Sequence, residues 1–398
     1  MELKILEQVC LFSKGKKPKK LSKEKSKDLC VPYINIKAFE KGIIDEYTDG
    51  EKCNLCNNGD LLMVWDGARA GLTGKAKKGA IGSTLMKIEP KEGLSKEYLF
   101  YFLKSLYEKI NSNPRGVGIP HVEPSLLWSS KIVIPSISLQ NKIVEKIEEL
   151  FSELDNGIEE LKKVKEQLKV YRQSVLSAAF SGKLTNTNLK NGELQKEMIE
   201  VKLGDHAFIT KLAGFEFTKY VKYKEKGDIP VIRAQNVSKI GFIERNFIYV
   251  DRGIMEKLPR SRVYGGEILM VFVGAGLGNV GIVPFNKEYF LGPNVAKIVL
   301  RNEYYNKFIL YYLSSIVGFG NVLKKSKATA QGSISMANIR EVYVPFVSFE
   351  DQQKIVKEIE KRLSVCDKME ETIKTSLAQS ESLRQSILKQ AFEGKLIR

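Results

Sequence analysis

The longest hydrophobic pattern in the first half of the chain lies between Leu139 and Leu184, where apolar residues recur in steps of three and four. Its members are Ile143, Ile147, Leu150, Leu154, Ile158, Leu161, Val164, Leu168, Tyr171 and Val175. This spacing predicts an amphipathic helix with a narrow seam like that of a coiled coil. Pro135 precedes the pattern, and Gly182 stands where a glycine commonly ends a helix. A helix of about 43 residues extends about 65 Å.

The same pattern returns 212 positions later, so the chain contains an internal repeat. KIVEKIEELFSELD, beginning at Lys142, matches KIVKEIEKRLSVCD, beginning at Lys354, and both lead to R-Q-S-x-L-x-x-A-F-x-G-K-L. The second helix is bounded by Pro345 and Gly394, and its seam is Ile355, Ile359, Leu363, Cys366, Met369, Ile373, Leu377, Leu383 and Ile387. A repeat this long indicates a duplicated half-molecule with pseudo-two-fold symmetry. Because neither helix can bury its stripe alone, we expect the two to pack against each other.

The segments before each helix also resemble one another. VPYI at Val31 matches IPVI at Ile229, and GDLLMVWDGA at Gly59 matches GEILMVFVGA at Gly266. YLFYFLKS at Tyr98 likewise matches FILYYLSS. Short β-branched and aromatic runs with Gly-rich turns predict strands, so the fold class is α+β. The predicted divisions are a strand-rich domain at 1–134, a long helix at 135–185, a linker at 186–197, a second strand-rich domain at 198–344 and a second long helix at 345–398.

Composition favours a polyanionic partner. The chain carries a formal net charge of +17 with a pI near 9.4, and the usual acceptors for such a field are nucleic acid and anionic membrane surfaces. No amphipathic basic membrane helix and no apolar run of about 18 residues is present, which favours nucleic acid. The opening MELKILEQVC lacks an apolar signal core, and five sparsely spaced cysteines suit a reducing compartment. We therefore expect a cytoplasmic protein.

Motifs that suggest catalysis are weak. Gly276, Gly278 and Gly281 match G-x-G-x-x-G, but the following Ile-Val-Pro-Phe does not open a helix, so we predict a turn between strands rather than a dinucleotide site. Cys53 and Cys56 form a single C-x-x-C without a second ligand pair nearby. The two histidines, His121 and His206, lie far apart in sequence. These features predict no metal site, no bound cofactor and no catalytic residues.

Basic residues recur in both strand-rich segments. A lysine-rich stretch from Lys14 to Lys27 predicts a loop that contacts phosphates, although a solvated loop explains the composition equally well. Arg233, Gln235 and Asn236 follow the IPVI strand and are residue types that pair with guanine or adenine edges. The candidate contacts in the first segment are Lys14, Lys16, Lys17, Lys19, Lys20, Lys37, Arg69, Lys75 and Arg115. Those in the second are Lys219, Lys222, Arg233, Gln235, Asn236, Arg260, Arg262, Lys324, Lys325 and Lys327.

The chain resembles the specificity subunits of type I restriction-modification enzymes. The resemblance rests on the proline-to-helix junctions at Pro135 and Pro345, the two K-I-V-x-x-I-E cores and the two A-F-x-G-K-L endings, and it spans essentially the whole chain. One departure is that the first helix lacks the acidic residue that family members commonly place before glutamine, since it has only Gln140 and Asn141.

The resemblance implies two target recognition domains that read the halves of a bipartite site in double-stranded DNA. The long helices would pack antiparallel as a ruler between them, and two methyltransferase subunits and motor-endonuclease subunits would complete the complex. S-adenosylmethionine, ATP and magnesium would be bound by those partner subunits, and this chain would be non-catalytic. The candidate contacts to partners are Ile143, Ile147, Phe180, Lys183, Leu184, Ile355, Ile359, Phe392, Lys395 and Leu396.

Two alternatives belong to other classes. One is a coiled-coil adaptor whose globular segments bind proteins, which the net charge of +17 disfavours. The other is a free-standing enzyme that uses GLGNVG to bind a nucleotide. The ruler hypothesis predicts that inserting four residues into one long helix, about 6 Å, changes the spacer of the recognised site and leaves both half-sequences unchanged.

Overall fold

The chain divides into two units, each of which contains one strand-rich segment and parts of both long helices. The computed structural model describes residues 2–116, 118–181, 198–239, 241–326 and 332–397. Unit 1 consists of Met1–Lys162 with Lys374–Arg398, and unit 2 consists of Lys163–Ile373. This division differs from the five consecutive segments expected from the sequence, because each unit draws on both helices. The predicted linker at 186–197 lies outside the described residues.

Unit 1 contains ten strands and five short helices in its strand-rich segment, within the described residues. The elements are β1 (Glu2–Ile5), α1 (Leu6–Val9), β2 (Cys10–Lys14), β3 (Val31–Ile34), α2 (Ile36–Lys41), β4 (Tyr47–Thr48), β5 (Leu55–Cys56), β6 (Leu61–Val64), β7 (Thr73–Lys75), β8 (Gly79–Ile81), β9 (Leu85–Pro90), α3 (Lys96–Ser105), α4 (Tyr107–Asn111), α5 (Pro124–Trp128) and β10 (Lys131–Ile134). Two four-stranded sheets have the orders β2-β9-β6-β7 and β4-β3-β8-β5, and β1 pairs with β10. Strand β6 is buried on both faces, which explains its continuous apolar run.

Unit 2 repeats this topology. Its elements are β11 (Ile199–Lys202), α7 (Leu203–His206), β12 (Ala207–Lys211), α8 (Gly214–Tyr220), β13 (Ile229–Ile232), a 3-10 helix (Ala234–Asn236), β14 (Val237–Ser238), β15 (Gly241–Phe242), β16 (Ile248–Val250), α9 (Gly253–Lys257), a 3-10 helix (Pro259–Ser261), β17 (Arg262–Tyr264), β18 (Ile268–Val271), β19 (Val280–Ile282), β20 (Glu288–Leu291), β21 (Val295–Leu300), α10 (Asn306–Ser314), α11 (Ile316–Lys324), α12 (Met336–Arg340) and β22 (Tyr343–Phe346). The sheets have the orders β12-β21-β18-β19 and β16-β13-β20-β17, β11 pairs with β22, and β14 pairs with β15. Both copies keep one parallel pair, β3 with β8 and β13 with β20.

The two long helices, α6 (Ile137–Phe180) and α13 (Phe349–Phe392), have 44 residues each. Together with the two strand-rich domains they confirm the predicted α+β class. Helix α13 ends just before Gly394, whose φ of +74° lies in the left-handed region that favours glycine. Gly182, the predicted end of the first helix, lies outside the described residues.

Within each unit, segments of the two long helices run antiparallel. In unit 1, Asp155 of α6 forms an ion pair with Arg384 of α13, while Ile147, earlier in α6, shares a core with Ala391, later in α13. In unit 2, Arg172 of α6 lies 2.5 Å from Asp367 of α13. Ala179 and Ile355 share the core there. Asp155 is equivalent to Asp367 and Arg172 to Arg384, each 212 positions away in the sequence, so the repeat is visible as a repeated contact.

The GLGNVG motif is a turn between antiparallel strands, which confirms the sequence prediction. It connects β18 to β19, whose residues pair from Ile268 with Ile282 to Met270 with Val280. Gly278 has a φ of +83°, and a Cβ there would lie 2.8 Å from the Phe319 ring. Glycine is therefore required by the turn and its packing, and the motif leads into strand β19 rather than into a helix.

Candidate nucleic-acid interface

Among the predicted contacts of unit 1, the segment after β2 contains the most lysines without a carboxylate partner. Lys16, Lys17 and Lys19 are exposed, and no carboxylate of a described residue lies within 4.0 Å of their ammonium groups. Lys14 lies 3.1 Å from Asp66, and Lys20 lies 3.2 Å from Asp49. The hydrogen bond to Asp49 raises the pKa of Lys20. The segment therefore offers three cations that phosphates could bind without displacing an internal partner.

Three other predicted contacts of unit 1 are paired with carboxylates. Lys37 pairs with Asp45 at 2.5 Å, Arg69 with Glu40 at 3.0 Å and Lys75 with Glu97 at 2.6 Å. The hydrogen bond from Lys37 lowers the pKa of Asp45. Arg115 is exposed and lies in the loop that precedes His121. The three paired cations are available to DNA only if it competes with the carboxylates.

The loop after β13 requires a correction to the predicted base contacts. Asn236 is fully buried, its Oδ1 accepts a hydrogen bond from the Arg233 amide at 3.0 Å, and its Nδ2 donates to the carbonyls of Ile243 and Arg245. Its side chain is thus engaged inside the loop, so its position does not fit base reading. Arg233 and Gln235 donate to the Asn246 carbonyl at 3.1 and 3.0 Å, and Gln235 is exposed.

Most other basic candidates of unit 2 lie at its surface. Arg260 pairs with Glu216 at 2.6 Å, and Arg262 lies 3.7 Å from Glu288. Although partial burial opposes ionisation, hydrogen bonds from the Ala213 amide and Arg260 lower the pKa of Glu216. The remaining candidates are exposed or half-exposed at Lys219, Lys222, Lys324 and Lys325, whereas Lys327 lies outside the described residues.

The four isoleucines predicted to contact partner subunits belong instead to the chain's own cores. Ile143 and Ile147 are buried in the main core of unit 1, and Ile355 and Ile359 are buried in that of unit 2. Side chains already enclosed by their own unit cannot present a face to another protein, so we correct that prediction. Lys183 and Leu184 lie outside the described residues.

The duplicated A-F-x-G-K-L endings place an aromatic ring in each unit. Phe180 packs edge-on against Phe308 and Tyr312 of α10, with centroid separations of 5.3 Å. Phe392 packs in the same way against Tyr98 and Phe102 of α3, at 5.1 and 5.2 Å. Each long helix therefore ends on the strand-rich segment that does not precede it. Near the second ending, Lys395 pairs with Glu393, and Leu396 packs against the core.

Two glutamines, Gln140 and Gln352, are buried and have a role that the sequence analysis did not assign. Gln140 accepts a hydrogen bond from the Ser95 amide at 2.8 Å and donates to the carbonyls of Gly93 and Pro135 at 2.9 Å. Gln352 accepts from the Tyr305 amide at 2.8 Å and donates to the carbonyls of Glu303 and Val347 at 3.1 and 3.0 Å. Both side chains are fully buried. Both glutamines lie two residues before a K-I-V core, so the repeat itself could have singled them out. Their hydrogen-bond partners could not be predicted, because most of these partners are distant in sequence and are brought close only by the fold.

The two cysteines of the C-x-x-C motif form weak hydrogen bonds to backbone carbonyls of their own domain. Burial raises the pKa of the Cys56 thiol to about 11, and its Sγ donates weakly to the carbonyls of Lys77 and Gly79. Cys53 donates to the Glu51 carbonyl at 3.5 Å. In the described part of the chain, no group of three or more His, Cys, Asp or Glu residues could hold a metal ion. No described helix is long and apolar enough to cross a membrane.

The chain has two copies of one strand-rich domain, and each copy is contacted by the end of the long helix that follows the other copy. This is the architecture of a duplicated protein with two equivalent binding domains. A family model described as the type I restriction modification DNA specificity domain matches residues 1–167 and 195–379. The chain therefore belongs to the family of type I restriction-modification specificity subunits.

Curated relatives and solved structures agree with this family. The chain is 26% identical over 385 residues to the type I restriction enzyme EcoBI specificity subunit of Escherichia coli, covering 92% of this chain and 80% of that protein. It is 25% identical to the MjaVIII specificity subunit of Methanocaldococcus jannaschii, covering 97% and 90%. A chain solved in work on complex assembly and conformational transition of the type I R-M system has a TM-score of 0.69 at 17% identity, with 99% and 98% covered. The HsdS subunit from Thermoanaerobacter tengcongensis has a TM-score of 0.57 at 17% identity, with 99% and 97% covered.

Proposed function

We propose that this chain is a non-catalytic subunit that reads a bipartite site in double-stranded DNA, with one strand-rich domain for each half-site. It would dock two methyltransferase subunits, and motor-endonuclease subunits would join the full complex. S-adenosylmethionine, ATP and magnesium would be bound by those partners. Because its substrate would be chromosomal DNA, we place its action in the cytoplasm.

The observation that carries this proposal is the reciprocity of the two units. Each unit holds one strand-rich segment against segments of both long helices, and the contacts of one unit reappear in the other 212 positions away, as for Asp155 with Arg384 and Asp367 with Arg172. A protein that reads two half-sites through two copies of one domain requires this kind of duplication. The exposed lysines after β2 supply charge suited to phosphates.

The long helices are suited to serve as the ruler. A helix of 44 residues is about 66 Å long, which corresponds to about 19 base pairs at 3.4 Å per pair. Helix α6 passes from unit 1 into unit 2 between Lys162 and Lys163, and α13 passes back between Ile373 and Lys374. The length of helix between the two strand-rich domains would therefore set the spacer between the two half-sites.

The test is a matched insertion of seven helix-forming residues after Lys162 and after Ile373. Inserting one heptad into each helix preserves the seam and leaves the Asp155–Arg384 and Arg172–Asp367 pairs intact. The four-residue insertion into one helix that the sequence suggested would shift its register against the other, so the matched insertion replaces it as the test. The added length is about 10.5 Å, so we expect the spacer to lengthen by about three base pairs. The recognised site is measured by sequencing methylated adenines in cells that express the chain with its methyltransferase subunits.

The control replaces seven helical residues at the same places without changing the length, and we expect its site to match that of the unaltered chain. An inserted variant that keeps the original spacer and changes a half-sequence contradicts the ruler. Loss of both half-sites in the inserted variant with full folding contradicts it as well, because the proposal leaves each recognition domain unchanged.

A further inference from the structure

A polar cluster in unit 1 brings together the ends of two strands and a loop that is distant in sequence. Asp66, just after β6, lies 2.7 Å from Nδ1 of His121 and 3.1 Å from the ammonium group of Lys14 at the end of β2. The Lys14 ammonium group also lies 6.0 Å from the centre of the Trp65 ring. The side chain of Asp66 is 17% exposed and that of His121 is 43% exposed. The carboxylate is thus enclosed while the imidazole faces outward.

The backbone holds the histidine loop firmly against the turn after β6. The Gly67 amide donates to the Pro120 carbonyl at 2.8 Å, and the Val122 amide donates to the Trp65 carbonyl at 2.9 Å. Arg115 and His121 exchange backbone hydrogen bonds at 2.9 and 3.0 Å. His121 is therefore placed by a fixed frame.

Unit 2 builds the same frame at the equivalent place. The Gly274 amide donates to the Gly332 carbonyl at 3.2 Å, and the Ile334 amide donates to the Phe272 carbonyl at 2.9 Å. Lys211, at the end of β12, lies 5.0 Å from the centre of the Phe272 ring. Two loops of different sequence thus return to the same point of the fold, each beside a lysine that lies over an aromatic ring.

The side chains at the centre of the frame differ between the units. Asp66 and His121 are bridged partners in unit 1, and Val273 and Ser333 are the bridged partners in unit 2. Exposed cations lie near both frames in sequence: Lys16 and Lys17 follow Lys14, and Lys324 precedes the second loop. A position with a constant backbone, a constant basic neighbour and a variable polar group is suited to reading a variable ligand beside a constant phosphate backbone.

The chemistry of His121 follows from its partner. A carboxylate only accepts hydrogen bonds, so Nδ1 carries the proton that is donated to Asp66. In the neutral ring Nε2 is then an acceptor, and no described residue donates to it. In the major groove the matching donors are the exocyclic amino groups of adenine and cytosine. The pair therefore presents one oriented acceptor.

We propose that His121 reads a base amino group in one half-site, that Asp66 is a positioning residue that fixes its tautomer and orientation, and that Ser333 occupies the equivalent reading position for the other half-site. This inference rests on the proposed function and adds to it the residues that make the two half-sites different.

The experiment uses the full-length chain assembled with its methyltransferase subunits and selects bound duplexes from a random pool. For His121→Ala we expect about a tenfold loss of base preference at one or two adjacent positions of one half-site, with the other half-site unchanged. Asp66→Asn should weaken preference at the same position by a smaller factor, because the amide oxygen still accepts from Nδ1. Ser333→Ala should affect only the other half-site. His206→Ala serves as the histidine control and should leave both half-sites unchanged.

A double substitution, Asp66→Val with His121→Ser, protects the test against misfolding, since unit 2 accommodates these side chains in the same frame. It should change one half-site and keep the affinity for its newly selected sequence. A wild-type motif that both His121→Ala and the double variant retain overturns this inference and leaves the proposed function standing. A uniform loss of affinity with unchanged base preference also overturns it, because that is the result of a purely structural role. A wild-type complex that selects no bipartite motif overturns the proposed function itself, and this inference with it.

Discussion

The two units share their helix junctions and differ at the ends of their strands. At the junctions, Gln140 corresponds to Gln352 and Phe392 to Phe180, and the hydrogen bonds and ring contacts are the same in kind. At the strand ends, an aspartate and a histidine in unit 1 stand where unit 2 has a valine and a serine. The copies are alike where both meet the same helices, and they differ where, on our proposal, each meets its own half-site.

The largest difference between the units should come from removing the aromatic ring near the end of one long helix. Phe180→Ala and Phe392→Ala each remove a ring that packs against two aromatic side chains, so we expect each to destabilise its own unit by about 3 kcal/mol. Hydrogen exchange should show faster exchange in α10 for the first variant and in α3 for the second. If one substitution speeds hydrogen exchange equally in both units, the stability of one helix end depends on the other, which contradicts this prediction.

The basic segment after β2 should distinguish the units in their contribution to affinity. Replacing Lys16, Lys17 and Lys19 with glutamine removes up to three phosphate contacts, so the slope of log affinity against log salt should fall by about 2.7. Between 50 and 200 mM salt the wild-type chain should then lose about 40-fold more affinity than the variant. The slope is measured by titrating duplex DNA at several salt concentrations.

The matched control replaces the ion-paired Lys20, Lys37 and Lys75 with glutamine, which makes the same change in net charge. We expect a smaller change in slope, because these ammonium groups are already held by carboxylates. If the two triple variants have equal slopes, net charge alone determines the salt dependence and the segment has no special role.

The buried glutamines test how similar the junctions are. Gln140→Ala and Gln352→Ala each leave one amide and two carbonyls without their partner, and we expect each to destabilise its junction by about 1–3 kcal/mol. Local hydrogen exchange at the starts of α6 and α13 measures the loss.

The control for these substitutions is the residue that follows each glutamine. That residue is Asn141 in the first copy and Gln353 in the second, and both are exposed. Asn141→Ala and Gln353→Ala should therefore have little effect on exchange at either junction. A loss of protection as large as that of the buried glutamines would mean that truncating any amide side chain near the helix start weakens it.

The two equivalent ion pairs between the helices should have the smallest effects on stability, and they compare the two units at matched positions. Double-mutant cycles for Arg172 with Asp367 and for Arg384 with Asp155 should yield coupling energies of about 0.2–1 kcal/mol, because the carboxylates are largely exposed. Arg384 also lies 5.0 Å from the Phe151 ring, so Arg384→Ala should destabilise beyond its coupling to Asp155. Thermal unfolding of the four variants of each pair provides the energies. Arg172 has a second partner of its own, Glu370 at 3.3 Å, so the ring contact is isolated by a third cycle. A cycle of Arg384 with Phe151 that yields no coupling energy would show that the ring contact contributes nothing.

The sequence predicted the features that depend on periodicity. The long helices, the duplication and the turn at GLGNVG follow from spacings of three, four and 212 residues and from the Ile-Val-Pro that follows Gly281. These signals are local or repeated in register, so they need no knowledge of tertiary contacts. The family resemblance followed from the same repeats.

Residue type alone did not predict correctly which side chains are free to contact DNA or a partner. Asn236 suits base reading chemically, but carbonyls seven and nine residues further along enclose its amide. The seam isoleucines face inward for the same general reason: whether an apolar stripe meets its own chain or a partner depends on tertiary packing. His121 has no evident partner in the sequence, because Asp66 lies 55 residues earlier in the chain and only the fold brings the two together.

The glutamine junctions have a consequence for how such proteins diversify. Gln140 and Gln352 bind only main-chain amide and carbonyl groups. Every polypeptide with the same backbone path offers these groups whatever its side chains, so the attachment imposes almost no demand on the sequence attached. On our proposal, a strand-rich domain with other side chains and another half-site would therefore be held on these helices in the same way.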